Sequence, residues 1–441
     1  MPPSQRDRIV AAMTDEAARV GYHNVSVAQV ASSAGVSSAT FYELFPDKES
    51  CMIAAYRAAI LRFFEPLSEL AASRELPQVV TAALSQLLDA VQQQPNAARL
   101  LFIEALSAGG RLDAERSAVA QEIARRTRAV IGGHPGGTVG ARLDIPTVAL
   151  VGGVRNTVSR HLHNHAEDRL PAISADLARW ALSYATIAAT ARWSSSEHAL
   201  LPAGRQRVLA VPPGAPIQRL PRLPRGRHHL PHTFVARSQR TRLIYGTAEV
   251  MLAKGYANAT VADIVTAAGV SRAVFYEHFK DKEHAFLAAQ QHPTHYVLDV
   301  CATAYFAGDE WPDRVWRYIQ ALLALIAESP ALSHLRLVEC YAAGPEAIRR
   351  AEDITRSFTL FIEEGYRYSS RAAYLPRLCP QAITGALYEI VQRHVASGRY
   401  DRLQRQLPRL TYVVLAPYTG PEQAISLVRD LCSRHLKAQH A

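Results

Sequence analysis

The densest concentration of one chemistry in this chain is cationic: between His198 and Ala248 stand nine arginines and no acidic residue. Guanidinium groups at that density suit a row of phosphates, although a solvated connector explains the same composition equally well. His161, His163 and His165 place two imidazoles at i and i+4 on a helix, which is metal-ligand spacing. No Cys or carboxylate set accompanies them, so a solvent-facing histidine run is expected and no metal. Gly132-Gly133-His134-Pro135-Gly136-Gly137 lacks both the Lys-Ser/Thr pair and the preceding strand of a nucleotide loop, and reads as a turn between helices. Cys51, Cys301, Cys340, Cys379 and Cys432 are widely separated and form no CxxC pair, so reduced, mostly buried thiols are expected. No nucleophile–base pair, metal set or cofactor loop appears in the chain. Neither enzymatic activity nor a cofactor is expected.

The elements that would carry such groups follow from length and pattern. At 441 residues the chain has room for about two to four folded units. Apolar residues make up 49% and charged residues 20%, the profile of a soluble, helix-rich protein. The net charge of +10 comes almost wholly from the arginine-rich segment, since the rest carries 40 basic against 39 acidic side chains. MPPSQRDRIV lacks the features of a leader, and no run approaches the ~20 apolar residues of a membrane span, so a cytoplasmic protein with no membrane partner is expected.

Shifted by 234 residues, the chain aligns with itself. GYHNVSVAQVASSAGVSSATFYELFPDKE (21–49) matches GYANATVADIVTAAGVSRAVFYEHFKDKE (255–283) without a gap, with 17 of 29 positions identical. Weaker echoes follow in the same order: PNAARLLFIEALSAGG (95–110) with PALSHLRLVECYAAGP (330–345), and ALVGGVRNTVSRHL (149–162) with AITGALYEIVQRHV (382–395). The chain is therefore a duplication. Residues 201–231, with seven prolines and six arginines, oppose both helix and sheet and read as an extended connector.

Within the first copy, Ile9, Met13, Ala17 and Val20 recur at helical spacing and Gly21 stops that helix. Ser26 caps a short helix whose buried stripe is Val27, Val30, Ala31 and Ala34, ended by Gly35. Ser37 caps a third, with Phe41 and Phe45 on one face and Ser38 and Tyr42 on another. Asp47 caps a fourth, striped by Met52, Ala55, Tyr56, Ala59 and Phe63. The second copy repeats these signals at Gly255, Thr260, Val261/Ile264/Val265/Ala268, Gly269, Ser271, Phe275/Phe279 and Asp281. Two short helices around a tight glycine turn form a helix-turn-helix, which offers the start of its second helix to the DNA major groove.

With Ser/Thr-Val-x-x-Val/Ile, Ala-Gly-Val-Ser, Phe-Tyr-x-x-Phe and x-Asp-Lys-Glu in both copies, the sequence resembles the TetR family, closely over 5–60 and 237–290 and loosely elsewhere. The resemblance implies that Ser38, Ala39 and Thr40, and Arg272, Ala273 and Val274, meet base edges. It implies phosphate contacts from Tyr42 and Tyr276, from the capping hydroxyls Ser26, Ser37, Thr260 and Ser271, and from His278. Lys48 and Lys282 would be aimed at the DNA backbone. With five lysines against 44 arginines, lysine at both positions indicates a need for a compact ammonium. Two departures stand out: Leu44 occupies a usually polar position where the second copy has His278, and Pro293 falls inside the expected fourth helix of the second copy.

The expected fold is all-α: two tandem TetR-like units, each an N-terminal three-helix helix-turn-helix domain followed by a C-terminal helical ligand-binding and dimerisation domain. Its limits are 1–50 and 51–200, a linker at 201–231, then 232–285 and 286–441. Pairing helices are expected at about 144–164 with 170–192, and 377–396 with 402–416. The resemblance implies a transcriptional regulator, most often a repressor, that binds double-stranded operator DNA and is released by a small, mostly apolar effector. Trp316, Tyr341, Phe358 and Tyr366 are candidates for lining the effector cavity, against core filling. Both halves of a dimer being in one chain, an intrachain pseudo-dimer is expected, with a homodimer of chains as the alternative. The competing function is a chain with one degenerate helix-turn-helix, its duplicated unit serving as a ligand-binding or scaffold module.

Overall fold

A computed structural model describes residues 3–68, 75–108, 110–131, 141–187 and 231–440. The glycine-rich stretch 132–137 and the connector up to residue 230 lie outside the described residues. Packing divides the chain into two compact units. The first comprises Met1–Trp193, Ser369–Glu389 and Ala416–Ala424; the second comprises Ser194–Tyr368, Ile390–Leu415 and Ile425–Ala441.

In the first unit, α1 (Gln5–Val20) starts on a Ser4–Asp7 capping box and stops at Gly21, whose φ of 83° lies where a side chain would strain the backbone. After a short 3-10 turn, Tyr22–Asn24, come α2 (Val27–Ser33), α3 (Ser38–Leu44) and α4 (Lys48–Ser68). Ile9, Met13 and Ala17 of α1 are buried, as are Val30, Phe41, Phe45, Met52, Ala55 and Phe63, and α1 packs on both α2 and α4. The apolar stripes thus meet in one core. There follow α5 (Leu76–Gln93) and α6 (Pro95–Arg99), which runs through a π-helical turn, Leu100–Glu104, into α7 (Ala105–Ser107). Then come α8 (Gly110–Ile131), α9 (Thr147–His163) and α10 (Ser174–Leu182).

The helix expected at 170–192 is shorter than its pattern. It ends at Leu182, and Ala185–Ile187 instead forms a strand antiparallel to Ala141–Leu143. The β-branched Thr186 and Ile187 suit that pairing, with Arg142 opposite Thr186. The histidine run also differs from expectation. His161 and His163 are half-buried and only His165 is exposed, and His161 Nδ1 lies 2.8 Å from the Thr157 carbonyl. Among the described residues no group of three or more His, Cys, Asp or Glu could hold a metal.

In the second unit, α11 (His232–Asn258) is interrupted at Gly255, where φ is 74°. Next are α12 (Val261–Ala268), α13 (Arg272–His278) and α14 (Lys282–Gln291). Pro293 has the expected effect: whereas α4 runs unbroken for 21 residues, its counterpart stops at Gln291 and α15 (Thr294–Phe306) restarts beyond the proline. Then come α16 (Trp311–Glu328) and α17 (Pro330–His334), continuing into a second π-helical turn, Leu335–Glu339. They are followed by α18 (Pro345–Ser357), α19 (Leu360–Glu363) and α20 (Gly365–Tyr368). One core gathers Leu243, Ile244, Ile264, Phe275, Phe279, Phe286 and Leu335, and a smaller one centres on Cys301 and Leu325.

The chain ends in α21 (Cys379–Ala396), α22 (Leu407–Thr419) and α23 (Pro421–His440). Residues Cys379–Glu389 of α21 belong to the first unit, where they cross α9 at Gly152, Gly153 and Gly385. A Cβ on Gly153 would lie 2.8 Å from the Ala382 carbonyl and would also collide with the Trp180 ring. A Cβ on Gly152 would collide with the Glu389 side chain, and one on Gly385 would come within 2.5 Å of Asn156 Cβ. Arg155 Nη2 donates to Glu389 Oε2 at 2.7 Å beside the crossing, both side chains being largely buried. All five cysteines are buried thiols outside any disulfide. No single helix among the described residues is long and apolar enough to cross a membrane.

Candidate nucleic-acid interface

Each helix-turn-helix is built by the same local chemistry. Ser26 Oγ accepts from the Gln29 amide at 3.2 Å while Gln29 reaches back to Ser26, and Thr260 forms the same reciprocal box with Asp263. The turns close at Gly35 and Gly269, with φ of 63° and 62°. Ser37 Oγ then accepts from the Thr40 amide at 3.0 Å and Ser271 Oγ from Val274 at 3.3 Å, which starts α3 and α13 at the same register. Asp47 and Asp281 cap the following helices through the Ser50 and His284 amides, at 2.7 Å each.

Phe41 and Phe275 are fully buried and anchor these helices. The opposite face is open: Ser37, Ser38 and Ala39 are exposed in the first copy, as are Ser271, Arg272 and Ala273 in the second, with Thr40 and Val274 half-buried beside them. Tyr42 is 56% and Tyr276 49% exposed, unusual for so large a ring and in keeping with a partner outside the chain. Arg272 lies along Tyr276, its Cζ 5.7 Å from the ring centroid and its Nη2 3.4 Å from the hydroxyl, which aligns the guanidinium on the outward face.

Other expected contacts are placed differently. The Ser26 hydroxyl donates to Gln29 at 2.7 Å and the Thr260 hydroxyl to Asp263 at 2.8 Å, so both caps already use their protons locally. Leu44 is 37% exposed, while His278 at the matching position turns its Nε2 into the protein and has its pKa lowered by burial first and Arg240 second.

Lys48 and Lys282 are the main correction. Lys48 Nζ donates to the Tyr22 and Val25 carbonyls at 3.1 and 2.9 Å and sits 4.5 Å from the Tyr22 ring centroid. Lys282 Nζ donates to the Tyr256 carbonyl at 2.7 Å and sits 4.3 Å from that ring. Burial lowers both ammonium pKa values. Each ammonium thus sits in a cradle formed by a turn of the protein itself.

Two residues that the sequence analysis passed over complete this arrangement. Glu104 Oε2 accepts from the Tyr22 amide at 2.8 Å and Glu339 Oε2 from the Tyr256 amide at 2.6 Å, each from the last position of its π-helical turn. The residue after each helix-stopping glycine is therefore held at its N–H by a carboxylate from the π-helical turn and at its C=O by the lysine. Their signal was present, since Glu is one of the few identities in the 95–110 echo.

Burial raises the Glu104 pKa above 4.5, against the Tyr22 hydrogen bond and the charges of Arg99 and His163. A carboxyl raised on folding binds its proton more tightly in the folded chain, so its contribution to stability falls as pH rises from 4.5 through the folded value. Glu104→Gln keeps an acceptor for the amide and should flatten that slope, with little loss of stability near neutrality. Glu104→Ala leaves the amide unpaired and should cost about 1–3 kcal/mol. Urea midpoints of the two variants at acidic and neutral pH check this, and equal losses would remove the hydrogen bond from the account.

The four candidate cavity residues occupy different surroundings. Trp316 is fully buried, Tyr341 packs on the core around Phe275 and Leu335, Phe358 packs on Cys301 and Leu325, and Tyr366 is half-buried.

Comparison with known proteins agrees with the duplicated geometry. Residues 9–55 and again 243–289 match the family described as bacterial regulatory proteins, tetR family. The HTH-type transcriptional regulator SrpR of Pseudomonas putida is 27% identical over 197 residues, covering 40% of this chain and 89% of SrpR. Among solved structures, the transcriptional regulator FadR from Bacillus subtilis, in complex with stearoyl-CoA, is 19% identical over 40% of this chain and 97% of its own, with a TM-score of 0.35. A regulatory protein in the tetR family from Rhodococcus RHA1 is 24% identical over 38% of this chain and 96% of its own, with a TM-score of 0.31. Two capped helix pairs of one design, each within a separate match to the same family, identify the chain as a TetR-family transcriptional regulator of two tandem units, each with an N-terminal DNA-binding helix-turn-helix.

Proposed function

We propose that the chain acts as a covalent pseudo-dimer: a cytoplasmic repressor whose two unlike reading helices bind one operator of two dissimilar half-sites, and which a small ligand releases. In this reading the modules are 1–50, 51–200, 201–231, 232–285 and 286–441, as reading head, sensor, connector, reading head and sensor. Ser38, Ala39, Thr40, Arg272, Ala273 and Val274 face base edges, and Tyr42, Tyr276, Ser37 and Ser271 face phosphate. Lys48 and Lys282 act indirectly, by fixing the turn before each reading pair.

The observation that carries the proposal is the reciprocity of the α9–α21 crossing. In the 149–162 echo Gly152 corresponds to Gly385 and Asn156 to Glu389. Gly152 meets Glu389, and Gly385 meets Asn156. Contact of i with j′ and of i′ with j is the signature of a twofold interface, here formed by two parts of one chain. The readers differ because Arg272 replaces Ser38, and only a guanidinium offers bidentate recognition of guanine.

Selection of bound sequences from random DNA, with light scattering of the free protein and footprinting of the selected site, tests this. One chain on two unlike half-sites, about one helical turn or a small multiple apart, is the expected result. Doubled mass on a longer palindromic footprint would replace the pseudo-dimer by a homodimer of chains.

A further inference from the structure

The two sensor domains differ at one spot in a way that points to a ligand. In the first unit, positions along α4 and the π-helical turn are filled by apolar side chains. Ile60 and Leu101 lie there, and the buried Phe63 and Phe102 have ring centroids 6.3 Å apart. The corresponding residues of the second copy, 234 or 235 positions on, are Thr294, Arg336, Val297 and Leu337. Two phenyl rings have become Val and Leu, and two aliphatic side chains have become a hydroxyl and a guanidinium. Val297, Arg336, Leu337 and Val338 keep partial solvent access, whereas their counterparts Phe63, Leu101, Phe102 and Ile103 are buried; Thr294 and its counterpart Ile60 are both half-buried.

Arg336 donates from Nη2 to Thr294 Oγ1 at 3.1 Å, and among the described residues it forms no ion pair with a carboxylate. It is nevertheless so closely surrounded that desolvation lowers its pKa to about 10. A guanidinium deprived of water and given one neutral acceptor has most of its donors to offer. The planar fork of Arg matches a carboxylate, and Val297, Leu337 and Val338 call for an apolar body.

We propose that the second unit binds an amphipathic carboxylate, its head received by Arg336 and Thr294 and its body in the space left by the lost phenyl rings, and that the first unit has no such site. The site deepens the reading of a ligand-released regulator and rests on it only for the effect at DNA. The placement suits signalling. Thr294 is the first residue after the Pro293 break, and Glu339, three residues beyond Arg336 on the same π-helical turn, holds the Tyr256 amide of the reading head.

Calorimetry on the full chain without DNA, using decanoate, phenylacetate and naphthoate against their primary amides, tests the site. At least one acid should bind saturably at one site per chain, with its amide about tenfold weaker or more. Arg336→Gln should abolish that preference while the chain stays folded by circular dichroism, and Thr294→Val, which keeps the guanidinium, should weaken the acid severalfold and leave the amide unchanged. No saturable acid binding up to about 1 mM, two sites per chain, or an acid preference that survives Arg336→Gln would each overturn the proposal. An acid that binds as expected but leaves operator affinity unchanged would support the site and overturn ligand release.

Discussion

Glu389→Ala is expected to lower the stability of the chain by about 3–5 kcal/mol, because it removes the carboxylate paired with a largely buried Arg155 guanidinium where α9 and α21 cross. The same variant opens space against Gly152, where Glu389 now packs directly on the glycine backbone. Gly153→Leu should be damaging for the opposite reason. Its side chain would enter volume held by Trp180 and the Ala382 carbonyl, and neither a fully buried indole nor a helix backbone can yield. Replacing Arg155 and Glu389 together by Met and Leu should recover much of the single-variant loss, since no charge is then left unpaired. Urea denaturation of the three variants checks this, and a loss near zero for Glu389→Ala would show that the pair is solvated.

Operator affinity should fall by roughly a thousandfold between 50 and 200 mM salt, the behaviour of a protein that neutralises several phosphates. Against that background two variants separate reading from positioning. Arg272→Ala should lose discrimination at one base pair of one half-site by about 1–3 kcal/mol and leave the other half-site untouched. Lys282→Ala should weaken all sequences alike by loosening the Tyr256 turn, and it should leave the slope of affinity against salt unchanged, because its ammonium faces two partners within the protein. Titrations of selected and scrambled DNA at several salt concentrations distinguish these outcomes. A changed salt slope in Lys282→Ala would return that lysine to the phosphates. An unaltered selected sequence in Arg272→Ala would reduce Arg272 to a decoration of the Tyr276 ring.

The reading heads were legible from the sequence almost residue by residue. Stop glycines at 21 and 255, caps at Ser26, Thr260, Ser37, Ser271, Asp47 and Asp281, and the Phe41/Phe45 and Phe275/Phe279 anchors all lie within a few residues of what they act on, so local pattern suffices. The Pro293 break was legible for the same reason. Helices stand at the positions expected for pairing, with shifted ends: 144–164 became Thr147–His163, 377–396 became Cys379–Ala396, 402–416 became Leu407–Thr419, and within 170–192 the helix is Ser174–Leu182, with Ala185–Ile187 in a short strand. A final helix from Pro421 to His440 went unanticipated.

Identity and spacing alone determined that this chain is a duplicated helical regulator with two helix-turn-helix units, because helix periodicity, capping and turn glycines are local physics copied twice. Only the tertiary structure decided where long-range polar groups go. It turned Lys48 and Lys282 inward onto carbonyls some 26 residues away and brought Glu104 across 82 residues to the Tyr22 amide. It also set Gly152 against Glu389 and brought Arg336 to the Thr294 hydroxyl across 42 residues. A charged side chain in sequence is equally compatible with solvent, phosphate or a buried carbonyl. Which of these holds depends on the desolvation and acceptors supplied by elements distant in the chain.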